Sequence, residues 1–183
     1  MANGEMRNLS DEELVQAALN DPQAFADLMD RHKKRLFNFI NAHLITDPDQ
    51  AEDVVQEAFI KAYLNLDKFD RSKKWTTWLY RIAINSAYSF LRRPKTQSLD
   101  SYYVYYLPAG NVPEAAVEAV ILKEKIARAI FSLESRHKII LNLYYFKEMN
   151  YEEISEVLDL DKNTVKNRVE VALRLLRGTL RAL

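Results

Sequence analysis

The sequence predicts an all-α protein of two small helical domains joined by a linker, the second containing a helix-turn-helix. Three observations carry this. The 183 residues include only three glycines and five prolines, so tight turns are few. Apolar residues recur at i, i+3, i+4 and i+7 through most of the chain instead of alternating. Helix-start signals stand at Ser10, Asp21, Asp47 and Asn150, each a capping side chain followed by Pro or by a Glu or Gln at the third position.

The first domain is expected over residues 1–94. After a loose start, Ser10 and Glu13 form a capping box that opens a short helix carrying Leu14, Val15, Ala18 and Leu19. Asp21-Pro22 restarts the chain, and Phe25, Leu28, Met29, His32, Leu36, Phe37, Ile40 and Leu44 hold the helical period from there. His32 reads as a core or boundary histidine, because no second metal ligand sits at a compatible spacing.

Asp47-Pro48, with Gln50, opens a third helix whose buried row is Ala51, Val54, Val55, Ala58, Phe59, Ala62, Tyr63 and Leu66. Its outer face carries Asp49, Glu52, Asp53, Gln56, Glu57 and Lys61. Five acidic residues from Asp47 to Glu57 exceed what the helix dipole needs, so this face suits a basic protein partner.

A fourth helix runs from Trp75 to Arg93, with Trp75, Trp78, Leu79, Ile82, Ala83, Ser86 and Phe90 as its apolar stripe. Arg81, Asn85, Tyr88 and Arg92 form a polar row on the other side. Every charged residue from Arg71 to Lys95 is positive, although the formal net charge of the chain is +0. A neutral protein that gathers cations in this way has a local anionic partner, nucleic acid first among them; the plainer alternative is a solvated basic face. In the connection before the helix, Phe69, Arg71, Lys73, Lys74 and Trp75 place rings beside cations, a combination that can hold an unstacked base. The alternative for Phe69 and Trp75 is that they plug the end of the core.

Pro94 ends this pattern, and residues 95–113 read as a linker. Its run Leu99 to Leu107 includes four tyrosines, too aromatic for a passive tether, and is expected to pack on a neighbouring domain or partner. The second domain is expected over residues 114–183. Ala116, Val117, Val120, Ile121, Ile126, Ile130 and Phe131 mark one helix, and Ile140, Leu141, Tyr144 and Tyr145 another. A capping box at Asn150 and Glu153 then opens a short helix, Asp159-Leu160 turns, and Asp161 caps a long helix with Val165, Val169, Ala172 and Leu176 buried. This is the helix-turn-helix layout, and Lys162, Asn163, Lys166, Asn167 and Arg168 stand where base edges and phosphates would lie. Six cations and one anion, Glu170, lie between Lys162 and Arg181. At about 3.3 Å per residue the linker reaches some 60 Å, near two turns of DNA, which suits bipartite recognition.

The chain has no cysteine, which excludes thiolate catalysis, Cys-based zinc sites and disulfides. With no run of about 18 apolar residues and no basic-then-apolar start, neither a membrane span nor a signal peptide is expected. No nucleophile–base set, phosphate loop or metal-ligand cluster is legible, so no catalytic site, metal or cofactor is expected.

Ala51 to Phe59, Trp78 to Asn85, and Tyr151 to Ile154 followed by Thr164 to Arg168 resemble, in order, the three signature blocks of the extracytoplasmic-function (ECF) sigma factors. The resemblance covers about Ser10 to Leu180. It implies an alternative sigma factor that binds core RNA polymerase, through the clamp helices of the largest subunit and through the flap, and directs initiation at bipartite promoters. Glu52, Asp53, Gln56 and Glu57 match the clamp-docking face. Asn85, Tyr88, Ser89 and Arg92 match the −10 reader, joined by Arg81 and Arg93, and the Phe69 to Trp75 loop with Arg71 and Lys74 matches the loop that captures a flipped base. Lys162, Asn163, Thr164, Lys166, Asn167 and Arg168 match the −35 recognition helix. The resemblance further implies a cytoplasmic protein held by an anti-sigma factor. The chain departs from the family at Leu133-Glu134, where Leu-Pro is usual, and at Asn163, where Gly is usual. A DNA-binding repressor that never meets polymerase remains the alternative, but it leaves the acidic face without a purpose.

Overall fold

The computed structural model describes residues 9–93 and 117–182, with side chains from residue 124 onward in the second stretch. The chain divides into two compact units, taken separately below. Among the described residues every regular element is helical: α1 (Asp11–Ala18), α2 (Pro22–His43), α3 (Pro48–Leu64) and α4 (Trp75–Leu91) in the first unit; α5 (Val117–Phe131), α6 (Ser135–Leu141), α7 (Tyr151–Leu158) and α8 (Lys162–Ala182) after it.

The start signals work as local chemistry requires. The Ser10 hydroxyl accepts from Glu13 N at 3.2 Å while the Glu13 carboxylate accepts from Ser10 N at 2.7 Å. Asp21 accepts from Gln23 N at 2.9 Å, and Asp47 from Asp49 N and Gln50 N at 3.0 and 3.2 Å. With Pro22 and Pro48 at the first turns, the helix starts are fixed by sequence.

The core of the first unit lies between α2, α3 and α4. Ala51, Ala58 and Ala62 on α3 and Ala83 and Ala87 on α4 are wholly buried, so the helices approach closely over small side chains while Leu28, Leu36, Ile40, Leu79 and Ile84 fill the flanks. Phe37 and Tyr63 of the expected rows fall outside the core, and Met29 and Leu44 stand at its border, as Leu176 does in the second unit. Phe39, not Phe37, is in the core, because Phe37 stands about 100° round the helix from Leu36 and Phe39 does not. Tyr63 is exposed, its ring edge resting on Phe25 at a centroid distance of 4.9 Å. Buried His32 is bonded to Asp11 at 2.7 Å, and Arg31 donates to Leu9 O and to Asp11, so α1 is clasped to α2.

In the second unit Ala129, Leu133, Ile139, Ile140, Leu143, Val165, Val169 and Ala172 are buried. The helix expected through Tyr145 stops at Leu141 and widens into a π turn, Asn142–Phe146, which turns Tyr145 and Phe146 out to solvent. Asn150 and Glu153 form the expected capping box. Asp159 takes a left-handed conformation at φ 53°, ψ 51°, which ends α7 and lets Asp161 cap α8. The tyrosine-rich run from Leu99 lies outside the described residues.

Candidate nucleic-acid interface

Helix α4 is buried on most of its circumference: Trp75, Thr77, Leu79, Tyr80, Ala83, Ile84, Ser86 and Ala87 are all in the core. The expected single stripe is therefore too narrow, and Trp78, Ile82 and Phe90 are its half-buried borders. In solvent stands the row Arg81, Asn85 and Tyr88, continued by Arg92, with Ser89 half-buried beside it, and at the end of the helix Leu91 is exposed as well. Arg92 donates to the Ser89 hydroxyl at 3.2 Å, which holds its guanidinium along the row.

The connection before α4 is a built turn. Asp70 accepts from the backbone and the hydroxyl of Ser72 at 3.0 and 2.7 Å, and these bonds hold its carboxyl below the usual range. Arg71, Lys73 and Lys74 are exposed around it. The rings are not. Trp75 is 0% exposed and Phe69 6%, packed edge to face at 5.8 Å, with Trp78 5.1 Å from Phe69 and Phe25 6.2 Å from Trp75. Phe69 and Trp75 thus plug the core, and stacking a base on either would require pulling it out of that cluster. Their burial favours the core-plugging reading of these two residues over base capture.

On α3, Asp53 and Gln56 are exposed and Glu52 and Glu57 partly so. Glu52 accepts from Lys33 at 2.9 Å, and this bond with its charge holds the carboxyl below the ordinary range. Glu57 is paired with Lys61 at 2.6 Å and, more loosely, with Arg93 at 3.5 Å. Arg93, expected among the DNA-facing cations, instead leans toward α3, because it stands about 100° round from Arg92. These long-range pairs left no signal in local periodicity. Asp30, Lys33, Lys34, Phe37 and Glu52 also line an open hollow of about 340 Å³.

On α8 the buried residues are Val165, Val169 and Ala172, and Lys162, Asn163, Lys166, Asn167 and Arg168 are exposed, with Asn163 and Asn167 opposite the buried row and the three cations on its flanks. Two of the expected −35 residues have internal duties. Thr164 donates its hydroxyl to the capping carboxylate of Asp161, which lowers that carboxyl's pKa. Lys162 is paired with Glu152 of α7. The outer surface of Asn163, Lys166, Asn167 and Arg168 is thus an amide-and-cation face of the kind that meets bases and phosphates. Among the described residues no group of three or more metal-ligating side chains occurs, and no helix is long and apolar enough to cross a membrane.

Comparison with known families gives the class of the protein: Sigma-70 region 2 matches residues 28–96 and Sigma-70, region 4 matches residues 123–176. The chain is 34% identical over 181 residues to the ECF RNA polymerase sigma factor SigW of Bacillus subtilis, covering 93% of this chain and 96% of that one. It is 31% identical over 172 residues to the ECF RNA polymerase sigma-E factor of Escherichia coli, covering 88% and 89%. The chain belongs to the ECF sigma factors. It is an alternative sigma factor, an initiation subunit that directs promoter-specific transcription. Among solved structures it is similar to CnrH in complex with the cytosolic domain of CnrY, at 25% identity and TM-score 0.65 over 94% of this chain and 97% of that one. The fold is also that of the sigma factor RpoE of Bartonella quintana, solved with the anti-sigma factor NepR, at 21% identity and TM-score 0.66 over 86% and 96%.

Proposed function

We propose that this sigma factor docks on the clamp helices of core polymerase through Glu52, Asp53, Gln56 and Glu57, and reads the −10 element through Arg81, Asn85, Tyr88, Ser89 and Arg92. Arg71 and Lys74 neutralise phosphates beside the strand being opened, and Asn163, Lys166, Asn167 and Arg168 read the −35 element as closed duplex. The domains run over residues 1–94 and 114–183, and residues 95–113 connect them. The observation that carries this reading is the outer row of α4, where a guanidinium, an amide and a phenol stand in solvent along one side of a helix that is largely buried elsewhere. The complex of RpoE with the anti-sigma factor NepR supports an anti-sigma partner for this chain as well. The protein acts in the cytoplasm, where polymerase is, with no catalytic site or cofactor of its own.

The test is run-off transcription. Purified protein added to core polymerase is expected to give initiation on promoters selected from a random DNA pool and none without it. Failure to load on core polymerase would sink the docking assignment. Loading without selection of a bipartite site would sink the reading assignment.

A further inference from the structure

The outer face of α8 carries one charge of the wrong sign for DNA. At about 100° per residue, Asn163, Asn167, Glu170 and Arg174 fall within an arc of about 60° on the side away from the buried row. All four are exposed. Val169, 1% exposed, and Ala172, 0% exposed, lie on either side of Glu170 in the chain and pack into the unit, so its place on the helix is fixed. Two other carboxylates near this face are in use: Glu152 is paired with Lys162, and Asp161 caps the helix through Thr164. No hydrogen bond or ion pair among the described residues engages the Glu170 carboxylate, although Lys166 and Arg174 stand one turn to either side of it. An anion set among cations on a surface that meets phosphate weakens binding to every duplex alike, unless a base edge offsets the repulsion.

We propose that Glu170 is a specificity-determining residue of the −35 interface: its carboxylate accepts a hydrogen bond from the N4 amino group of one cytosine and rejects guanine and thymine at that position. This rests on the reading of α8 given above. In the major groove only cytosine and adenine present a donor, and guanine and thymine set acceptors against a carboxylate. On adenine the N6 amino group stands beside the acceptor N7, which repels the second carboxylate oxygen, whereas the cytosine edge presents its amino group alone. The register fits as well. Asn167 and Glu170 are about 4.5 Å apart along the helix axis, more than one base-pair step of about 3.4 Å, so each side chain meets its own base pair. Discrimination at that pair comes from repulsion of the wrong bases as much as from attraction of the right one.

The test is competition binding of the full chain, loaded on core polymerase, to duplexes selected from a random pool and to every single-base variant of their −35 element. The wild-type chain is expected to favour cytosine over guanine and thymine at one position by about tenfold or more. Glu170→Ala is expected to level that preference and leave the other positions as they were. Glu170→Gln is expected to move it toward adenine, whose N6 and N7 an amide can bind together. Both substitutions fall on an exposed side of the helix, so unchanged thermal melts are expected. A uniform rise in affinity for all sequences in Glu170→Ala, with every preference kept, would make Glu170 a repulsive charge only and overturn the proposal. Normal preferences in both variants, with Lys166→Ala or Arg168→Ala defective, would overturn it too and leave α8 on the DNA. Normal binding by all four variants would overturn the reading of α8 itself.

Discussion

The ammonium of Lys61 on α3 donates a 3.0 Å hydrogen bond to the hydroxyl of Ser86 on α4, and the same ammonium is paired with Glu57 at 2.6 Å. One cation therefore ties α3 to α4, the two helices proposed to face polymerase and DNA. Ser86 is 1% exposed, at a point where α3 and α4 meet over small side chains. Ser86→Leu is expected to overpack that contact and cost about 1–3 kcal/mol, and Ser86→Ala to stay within about 0.5 kcal/mol because Lys61 keeps Glu57 and solvent. Urea melts of the two variants measure the difference; equal melts would mean the interface yields to added volume.

Trp75 separates a structural from a DNA-facing role. A wholly buried tryptophan in a four-ring cluster should cost about 3–5 kcal/mol when replaced by alanine, enough to unfold the first unit at moderate temperature. Arg71→Ala is expected to leave the melt unchanged and to weaken DNA opening, read with a fluorescent base in the −10 element. A Trp75→Ala protein that melts normally and fails only in promoter opening would contradict the core assignment.

For α8, Lys166→Ala or Arg168→Ala is expected to weaken binding to −35 duplex by about 1–3 kcal/mol if the side chain reads a base, with relaxed preference at one position. Phosphate contact would instead weaken all sequences alike and lower the salt slope by about one. Competition binding over single-base variants of the duplex distinguishes the two, and no effect in either substitution would remove α8 from the interface.

His32 gives a pH dependence. Burial pushes its pKa below the ordinary histidine range, against the pull of Asp11 and with a smaller push from Arg35 and Arg31. The unfolded chain therefore binds the proton more readily than the folded one, so stability is fully present above about pH 6.5 and declines as pH falls below it. His32→Gln, which keeps a donor for Asp11 and does not titrate, is expected to flatten the slope between pH 7 and 5 in urea midpoints. An unchanged slope would place the titration elsewhere.

Gly178 lies in α8 with nothing within 4 Å of where a Cβ would stand. Gly178→Ala is expected to raise stability by about 0.5–1 kcal/mol, since glycine in an exposed helix costs backbone entropy that no contact here repays. Differential scanning calorimetry of the full chain measures the rise, and a lower transition would mean that Gly178 serves a contact.

What was legible in the sequence was local. Ser10, Asp21, Asp47 and Asn150 cap helices through neighbours two or three residues away, and the row Arg81, Asn85, Tyr88 follows from helical spacing alone. What was not legible needed the third dimension. The pair Lys33–Glu52 joins α2 to α3 and Glu57–Arg93 joins α3 to the bend after α4, and the π turn after Leu141 breaks a period that Tyr144 and Tyr145 continue in the sequence. Phe69 and Trp75 had two readings, because an aromatic beside cations looks the same in sequence whether it fills a core or faces a base.

The separation between the wholly buried alanines of α3 and α4 and the solvent-facing row of α4 has an evolutionary consequence. Asn85 and Tyr88, like Lys166 and Asn167 on α8, bear no share of the core, so they can drift without a stability threshold opposing each step. On the reading proposed above, promoter preference can thus diverge between duplicated copies of such a gene while Ala58, Ala62, Ala83 and Ala87 hold the core. A lineage can acquire many regulons on one scaffold.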